Sequence, residues 1–499
     1  MPRSISTCTS SLVIFGGTGD LSCRKLIPAL LRLKSGGYLP SDLQVIISGR
    51  NPLGRDELIN HFRSRFDSRS ESYQLLEKSL EELAPRIHYI QVDPQRPNAR
   101  EELFRALRQI EREGVAPARL FYLALPPQQM PAFLPLLPGL LGKEKNTSCL
   151  SRILVEKPFG HDFTSALELN NQLLSIAHED QIMRIDHYLG KEAIQNILVL
   201  RFANVLFEPV WNRNYIDHVQ ISFAEKIGVG SRSKYFDSAG ILRDVVQNHL
   251  LQVLSLTAME PPISNLPSDI RREKMKILRA LQPLSREHVK TYAIRGRYEK
   301  SDRNDVKVRG YLEEEGVEPT STTETYAALK THVDSWRWGG VPFYLRAGKR
   351  LSTNLTEISI FFKLPPHFIF EGCCGPGQPN VLNLRVQPDE GIQMLVQSKK
   401  PGMELIISPI NLDFSYQESF GAYRPDAYER LLLDALHGDL SLFLCKEEID
   451  LAWKFIDPII EAWKNEDPAN LEGYPAGSDG PKSAENLLKA DGRAWKNLT

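Results

Sequence analysis

A chain of 499 residues is too long for one ordinary hydrophobic core, so two or three domains are expected. With 42% hydrophobic and 25% charged residues, it has the composition of a soluble globular protein, which excludes a disordered or fibrous one. Lysine and arginine total 61 against 62 acidic residues, so no basic excess argues for a nucleic-acid partner, while a local pocket for a single phosphate stays compatible with the balance.

In chain order, the apolar run Leu12 to Phe15 is too short for a secretory signal and reads as a buried strand. Leu26 to Leu33 is apolar at helical spacing, and Val45 to Ile47 is a second strand. Glu101 to Glu113 reads as a charged amphipathic helix, with strands at Leu120 to Leu125 and Arg152 to Val155. Strands separated by helices predict a parallel, doubly wound Rossmann sheet, that is, an α/β dinucleotide-binding domain. The stretch Phe133 to Leu141 carries Pro135 and Pro138 and is too short to span a membrane. The chain therefore reads as soluble and intracellular.

After about residue 200 the pattern changes to period-two segments. They are Val219-Ile221-Phe223, Glu357 to Phe362, Val381 to Val386, Ile392 to Val396 and Glu404 to Ile407. They predict a large, mostly antiparallel sheet, interrupted by helices at Ile241 to Leu256 and Asp426 to Leu436, hence an α+β domain. The tail after about residue 466 is rich in Gly, Pro, Asn and Asp and reads as loop. The change of domain is expected between Leu189 and Ala203, dividing the chain into residues 1–195 and 196–499. The six cysteines, Cys8, Cys23, Cys149, Cys373, Cys374 and Cys445, show no paired framework or zinc spacing. They read as reduced thiols, and no metal is expected.

The strand Leu12 to Phe15 runs into Gly16-Gly17-Thr18-Gly19-Asp20-Leu21-Ser22, in which Gly17, Gly19 and Ser22 fit G-x-G-x-x-small. Glycines permit a tight turn and close approach to a pyrophosphate, which the next helix N-terminus attracts. A glycine cluster alone is equally a plain turn; the preceding strand and following helix favour the nucleotide loop. Beyond the second strand stand Ser48-Gly49-Arg50, where an NAD enzyme would carry an acidic residue. Arg50 suits a 2′-phosphate, and so NADP; a solvated surface arginine is the other reading.

Residues 184–192 read Arg-Ile-Asp-His-Tyr-Leu-Gly-Lys-Glu. If helical, they put His187 and Lys191 on one face as a phosphate socket, with Tyr188 adding a hydroxyl and Asp186 pointing elsewhere. A polar helix start with an internal ion pair explains the same spacing. His249, in Asp-Val-Val-Gln-Asn-His at 244–249, falls on a helix near a buried face, where a hydrogen-bonded core histidine is the commoner role and an acid–base role needs an aspartate to orient it. Glu156-Lys157-Pro158-Phe159-Gly160 follows a strand, at the end where open α/β sheets place their ligands; a surface turn with an ion pair is the alternative.

Together these blocks resemble the glucose-6-phosphate dehydrogenase family. The resemblance rests on Gly16-x-x-Gly19-Asp20-Leu21 followed by Arg24-Lys25-Leu26, on Phe121 to Pro127, on Glu156 to Gly160 and on Arg184 to Glu192. Tyr235-Phe236-Asp237, Arg243 to Gln252, Val341 to Lys349 and Pro425 to Leu431 continue the order, so that it runs from about residue 12 to about residue 463. It implies NADP-dependent oxidation of glucose 6-phosphate at C1 to the 6-phosphogluconolactone, the first step of the oxidative pentose phosphate pathway. His249 would be the general base, with Asp186 supporting its imidazolium. His187, Tyr188 and Lys191 would hold the 6-phosphate. Lys25, Lys157, Glu225, Asp244 and Lys349 would bind the sugar or its phosphate, with Gln387 lining the site.

The cofactor would sit on Gly16, Gly17, Thr18, Gly19, Asp20, Leu21 and Lys157, with Thr18 and Arg50 meeting its 2′-phosphate. The second domain would bind substrate and join a cytoplasmic homodimer or homotetramer through its large sheet. One departure is Asn354, where relatives often carry Lys or Arg; Arg350 is a candidate substitute. An inositol-dehydrogenase-like sugar oxidoreductase would share the Glu-Lys-Pro segment but lack the block at 184–192, and a non-enzymatic NADP-binding subunit that kept the fold would be favoured by loss of the base, yet His249 and Asp186 are both present.

Overall fold

The structure is a computed structural model that describes residues 9–67, 69–70, 72–111, 118–141, 150–303, 306–370, 377–421, 425–467 and 470–498. The chain gathers into two units. The first comprises residues 1–190, 264–271 and 424–449, and the second the remainder.

In the first unit six strands lie parallel: β1 Thr9–Phe15, β2 Gln44–Gly49, β3 Ile87–Gln91, β4 Ala118–Leu123, β5 Arg152–Val155 and β6 Ile182–Ile185. Their order is β6-β5-β4-β1-β2-β3, and a two-residue strand, Phe443–Leu444, adds antiparallel beyond β6. This is the doubly wound dinucleotide-binding order, with its reversal between β1 and β4. β4 is buried along its whole length, as a parallel strand covered on both faces must be. Helix Ala427–His437 places Leu431, Leu432, Ala435 and Leu436 in the core with Leu12, Ile14 and Leu30. Its start is fixed chemically: the Asp426 carboxylate accepts from Tyr428 N at 2.9 Å, and Glu429 Oε1 accepts from Asp426 N at 3.2 Å. The helix expected at Glu101 to Glu113 spans Ala99–Ile110, and residues 112–117 lie outside the described residues.

The second unit is built on a nine-stranded sheet. Its strands are β7 Ile216–Ala224 and β8 Ala293–Glu299, then, after a separate short pair β9 Ser301–Arg303 and β10 Val306–Val308, β11 Tyr326–His332 and β12 Pro342–Gly348. β13 Leu355–Phe362, β14 Val381–Gln387, β15 Gly391–Lys399 and β16 Ile407–Ser415 follow. The order is β16-β15-β14-β13-β7-β12-β11-β8, closed by Glu472–Pro475. Only β12 on β7 and the closing strand on β8 are parallel among these pairs. β7 reads as period two in sequence, yet both of its faces are buried along most of its length.

Two expectations are corrected in this unit. The strand anticipated at Glu404 to Ile407 begins only at Ile407, since Lys400 N donates to Ile406 O at 2.7 Å and closes a hairpin loop between β15 and β16. The tail after residue 466 is not simply loop: Glu472–Pro475 joins the sheet and Lys482–Lys489 is a helix. Tyr474 explains the ordering. It is fully buried, and its hydroxyl donates to Lys349 O at 2.6 Å, a partner 125 residues away that no local pattern reveals.

Candidate active site

In the first unit the glycine turn leaves β1 at the sheet's reversal point. Gly16 has φ +75°, and a Cβ there would run into Ala124 O. At Gly17 a Cβ would lie 2.6 Å from Ile47 Cγ2. The cradle is thus closed to side chains on its protein side, leaving its backbone to meet a ligand, as a pyrophosphate-binding turn requires. Gly19 N donates to Gly16 O at 3.0 Å and Ser22 Oγ to the same carbonyl at 3.2 Å, folding the turn into the helical run that starts at Ser22. Leu21 is half-buried behind it, while Asp20 is exposed and pairs with Arg24 at 2.7 Å. Thr18 is held from behind by His61, whose Nε2 lies 3.1 Å from Thr18 O. Arg50 stands exposed just past β2, next to β1 in the sheet.

Lys157 follows β5, and Asp186, His187 and Tyr188 follow β6, at the carboxyl ends where such sheets bind ligands. The helix considered for residues 184–192 does not form. Arg184 and Ile185 belong to β6, residues 187–190 turn, and the helix begins at Glu192. Asp186 is the cause: its Oδ1 accepts from Tyr188 N at 3.0 Å and its carbonyl from Leu189 N at 3.1 Å, an Asx-type turn. His187 therefore lies in a turn, where its ring stacks on Tyr428 with centroids 6.3 Å apart. Glu156 and Lys157 are not a surface ion pair. Glu156 takes a 2.5 Å hydrogen bond from the Tyr122 hydroxyl, and burial drives its carboxyl up to about 7 against the pull of Tyr122, Tyr428 and Lys157. Lys25 pairs with Asp426 at 2.9 Å.

In the second unit β7, β12 and β14 finish at one edge of the sheet, the register Thr356↔Gln387 and Thr356↔Phe223 tying β14 to β7 through β13. Glu225, Lys349 and Gln387 emerge there. Lys349 Nζ is bonded to the Glu225 carboxylate and lies 5.1 Å from the Phe236 ring centre. Lys191, the N-cap of helix Glu192–Phe202, bonds its ammonium to Gln387 Oε1. A cation at a helix start adds to the positive character of that spot.

Asp244 and His249 share one stretch, Leu242–Leu250, whose turns are wide and π-helical, a form concentrated at functional sites. The stretch starts afresh after Gly240, at φ +72°, with Leu242 N donating to the Glu324 carboxylate at 3.1 Å. His249 is 2% exposed, its ring parallel to Phe223 within 6°. Asp244 lies 3.6 Å from Arg232. Asn354 Oδ1 accepts from Lys226 N at 2.7 Å, so it serves the backbone, and Arg350 is turned to Glu314 at 3.4 Å.

Residue patterns missed Tyr122, Tyr428 and Asp426 as neighbours of Glu156 and Lys25, although all three stand in motif blocks already singled out. Arg232 and Glu324 carried no local signal. Cys23 and Cys445 are in no disulfide, and Cys8, Cys149, Cys373 and Cys374 lie outside the described residues. No helix among the described residues is long and apolar enough to cross a membrane.

Two family models match the chain in order. The glucose-6-phosphate dehydrogenase NAD binding domain matches residues 13–196, and the glucose-6-phosphate dehydrogenase C-terminal domain residues 198–496. The glucose-6-phosphate 1-dehydrogenase of Rhizobium meliloti is 41% identical, over 97% of this chain and 97% of its own. That of Chlamydia pneumoniae is 42% identical, over 100% of this chain and 97% of its own. A solved glucose-6-phosphate dehydrogenase in complex with its substrate glucose-6-phosphate matches with a TM-score of 0.89 at 35% identity, covering 98% of this chain and 99% of that one.

Proposed function

The chain belongs to the glucose-6-phosphate dehydrogenase family, and from that premise we infer which of its residues perform the reaction. It is an enzyme that oxidises D-glucose 6-phosphate at C1 with NADP, giving 6-phospho-D-glucono-1,5-lactone, the first step of the oxidative pentose phosphate pathway. The observation that carries this is the ordered match of both family domains across residues 13–496. Incubating the purified protein with glucose 6-phosphate and NADP, and following the ultraviolet absorbance of the reduced cofactor, tests it; no absorbance change would overturn it.

The glycine cradle fits a dinucleotide, because the space a Cβ would need at Gly16 and Gly17 is already filled by the protein. Gly16, Gly17, Gly19, Asp20 and Leu21 form the turn that would seat the pyrophosphate; Thr18 and Arg50 would meet the 2′-phosphate, and Lys157 would serve cofactor and sugar. When bound, the cofactor supplies a hydride acceptor at its nicotinamide ring. His249 takes the proton of the C1 hydroxyl, which makes the C1 hydride a better donor, and Asp186 has the supporting role. Lys191, His187 and Tyr188 hold the phosphate. Lys25, Glu225, Asp244, Lys349 and Gln387 bind or line the sugar. Exchanging Arg50 for Gln is expected to lower the preference for NADP over NAD by about 10- to 100-fold, read as the ratio of kcat/KM for the two cofactors. An unchanged ratio would remove Arg50 from the site.

We further propose a cytoplasmic homodimer or homotetramer joined through the large sheet. β16 is an edge strand whose Ile410 and Leu412 are 43% and 54% exposed, an apolar edge that association would cover. Light scattering is expected to give a dimer or tetramer for the natural chain and a monomer for Leu412→Asp. A monomeric natural chain would refute the assembly, and its recovery outside the soluble cytoplasmic fraction would refute the location.

A further inference from the structure

Several separate sequence blocks of the first unit converge on one carboxyl group to which neither the motifs nor the reaction assign a duty. Glu156 closes β5. Tyr122, on β4, donates its hydroxyl to Glu156 Oε1 at 2.5 Å. Tyr428, in the first turn of helix Ala427–His437, donates from its own hydroxyl. The flat face of Tyr428 lies against His187, 10° from parallel. The charges that act on the carboxyl are Lys157, its chain neighbour, and Asp186, just beyond β6. Asp426, which acts on Tyr428, is paired with Lys25 at 2.9 Å. Glu156 thus feels Lys157 and Asp186 directly, while His187 is reached through Tyr428 and Lys25 through Asp426; all four have roles in the reading above.

Burial raises the Glu156 carboxyl to about 7. The two hydroxyls and Lys157 favour the ionised form, and Asp186 disfavours it. One negative charge therefore comes and goes at neutral pH beside Lys157 and Asp186. A carboxylate kept only to bind its tyrosines would not need that neighbourhood.

We propose that Glu156 is a positioning residue whose carboxyl, clamped between Tyr122 and Tyr428, sets the electrostatic surroundings of Lys157 and Asp186: protonated, it leaves the charge of Lys157 to attract the anionic substrate, and ionised, it offsets that charge. This rests on the reading of the chain as a glucose-6-phosphate dehydrogenase. As pH rises through neutrality the carboxyl loses its proton, its new negative charge offsets that of Lys157, and KM for glucose 6-phosphate should rise. The substrate phosphate also titrates there, but equally for every variant, so the comparison of variants isolates Glu156.

The experiment measures KM and kcat for glucose 6-phosphate from about pH 6 to about pH 8.5 in the natural enzyme, Glu156→Gln and Tyr122→Phe. Glutamine keeps the shape and stays neutral, so the ratio of natural to variant KM should grow by about 3- to 10-fold across that range. Removing the Tyr122 hydroxyl withdraws a donor that favours the ionised form, so in Tyr122→Phe the rise should move to higher pH. Profiles of the natural enzyme and Glu156→Gln that superimpose, or that differ by one constant factor, overturn the proposal. If Glu156→Gln does not fold, the Tyr122→Phe profile decides, and an unshifted one overturns it. A natural enzyme inactive on glucose 6-phosphate would instead defeat the functional reading, a separate and visible failure.

Discussion

Replacing His249 with Asn is expected to lower kcat by about 10²- to 10⁴-fold, the usual worth of a positioned general base, while KM for glucose 6-phosphate changes little. The structure makes this a sharp test. The ring is buried and packed parallel to Phe223, 6.5 Å between centroids, and its backbone N–H is fixed on Asn248 Oδ1 at 2.7 Å. Asn keeps a polar group of intermediate size, so the cost to folding should stay at about 1–2 kcal/mol and can be read from the shift in Tm. An unchanged kcat with a natural melting curve would strip His249 of its role. Asp186→Asn should give a smaller fall in kcat, because the base itself remains.

Lys191→Thr is expected to raise KM for glucose 6-phosphate by about 10- to 100-fold, the worth of one charge-assisted hydrogen bond. Slow oxidation of unphosphorylated glucose should be left nearly untouched. Position 191 suits this exchange because it is the N-cap of helix Glu192–Phe202, with an extended backbone at φ −77° and ψ 135° and a carbonyl that accepts from Ile194 N at 3.1 Å. Threonine is itself a good N-cap, so the helix start survives while the ammonium goes. Steady-state kinetics on the two sugars separate the outcomes. Equal losses on both would mean that Lys191 orders the protein around Gln387 rather than gripping a phosphate.

What could be read from residue order alone was what depends on near neighbours. β5 lies where its apolar run placed it, at Arg152–Val155, and the glycine turn opens the first βαβ element as its motif required. The error at residues 184–192 is instructive: His187 and Lys191 are four apart, and the same interval that stacks side chains on a helix also occurs across a turn. The Asp at 186 was the contrary signal, since Asp side chains hydrogen-bond the amide two residues on. Contacts between distant positions were out of reach. Lys191 with Gln387, Lys349 with Glu225, and Tyr474 with Lys349 join residues more than a hundred positions apart. Wide helical turns at Leu242–Leu250 have no residue signature at all. Their start depends on Gly240 and on Glu324 from another part of the chain.

The nucleotide-binding unit also has a consequence for how the protein is made. Its helix at 427–437 and its outermost strand at 443–444 come from near the end of the chain, although the other strands are complete by residue 185. A ribosome must therefore have added residue 444 of 499 before Leu431, Leu432, Ala435, Leu436 and Phe443 can cover that core. Through most of synthesis the apolar surface beside Leu12, Ile14 and Leu30 waits for its cover, which makes the nascent chain a natural client for chaperones.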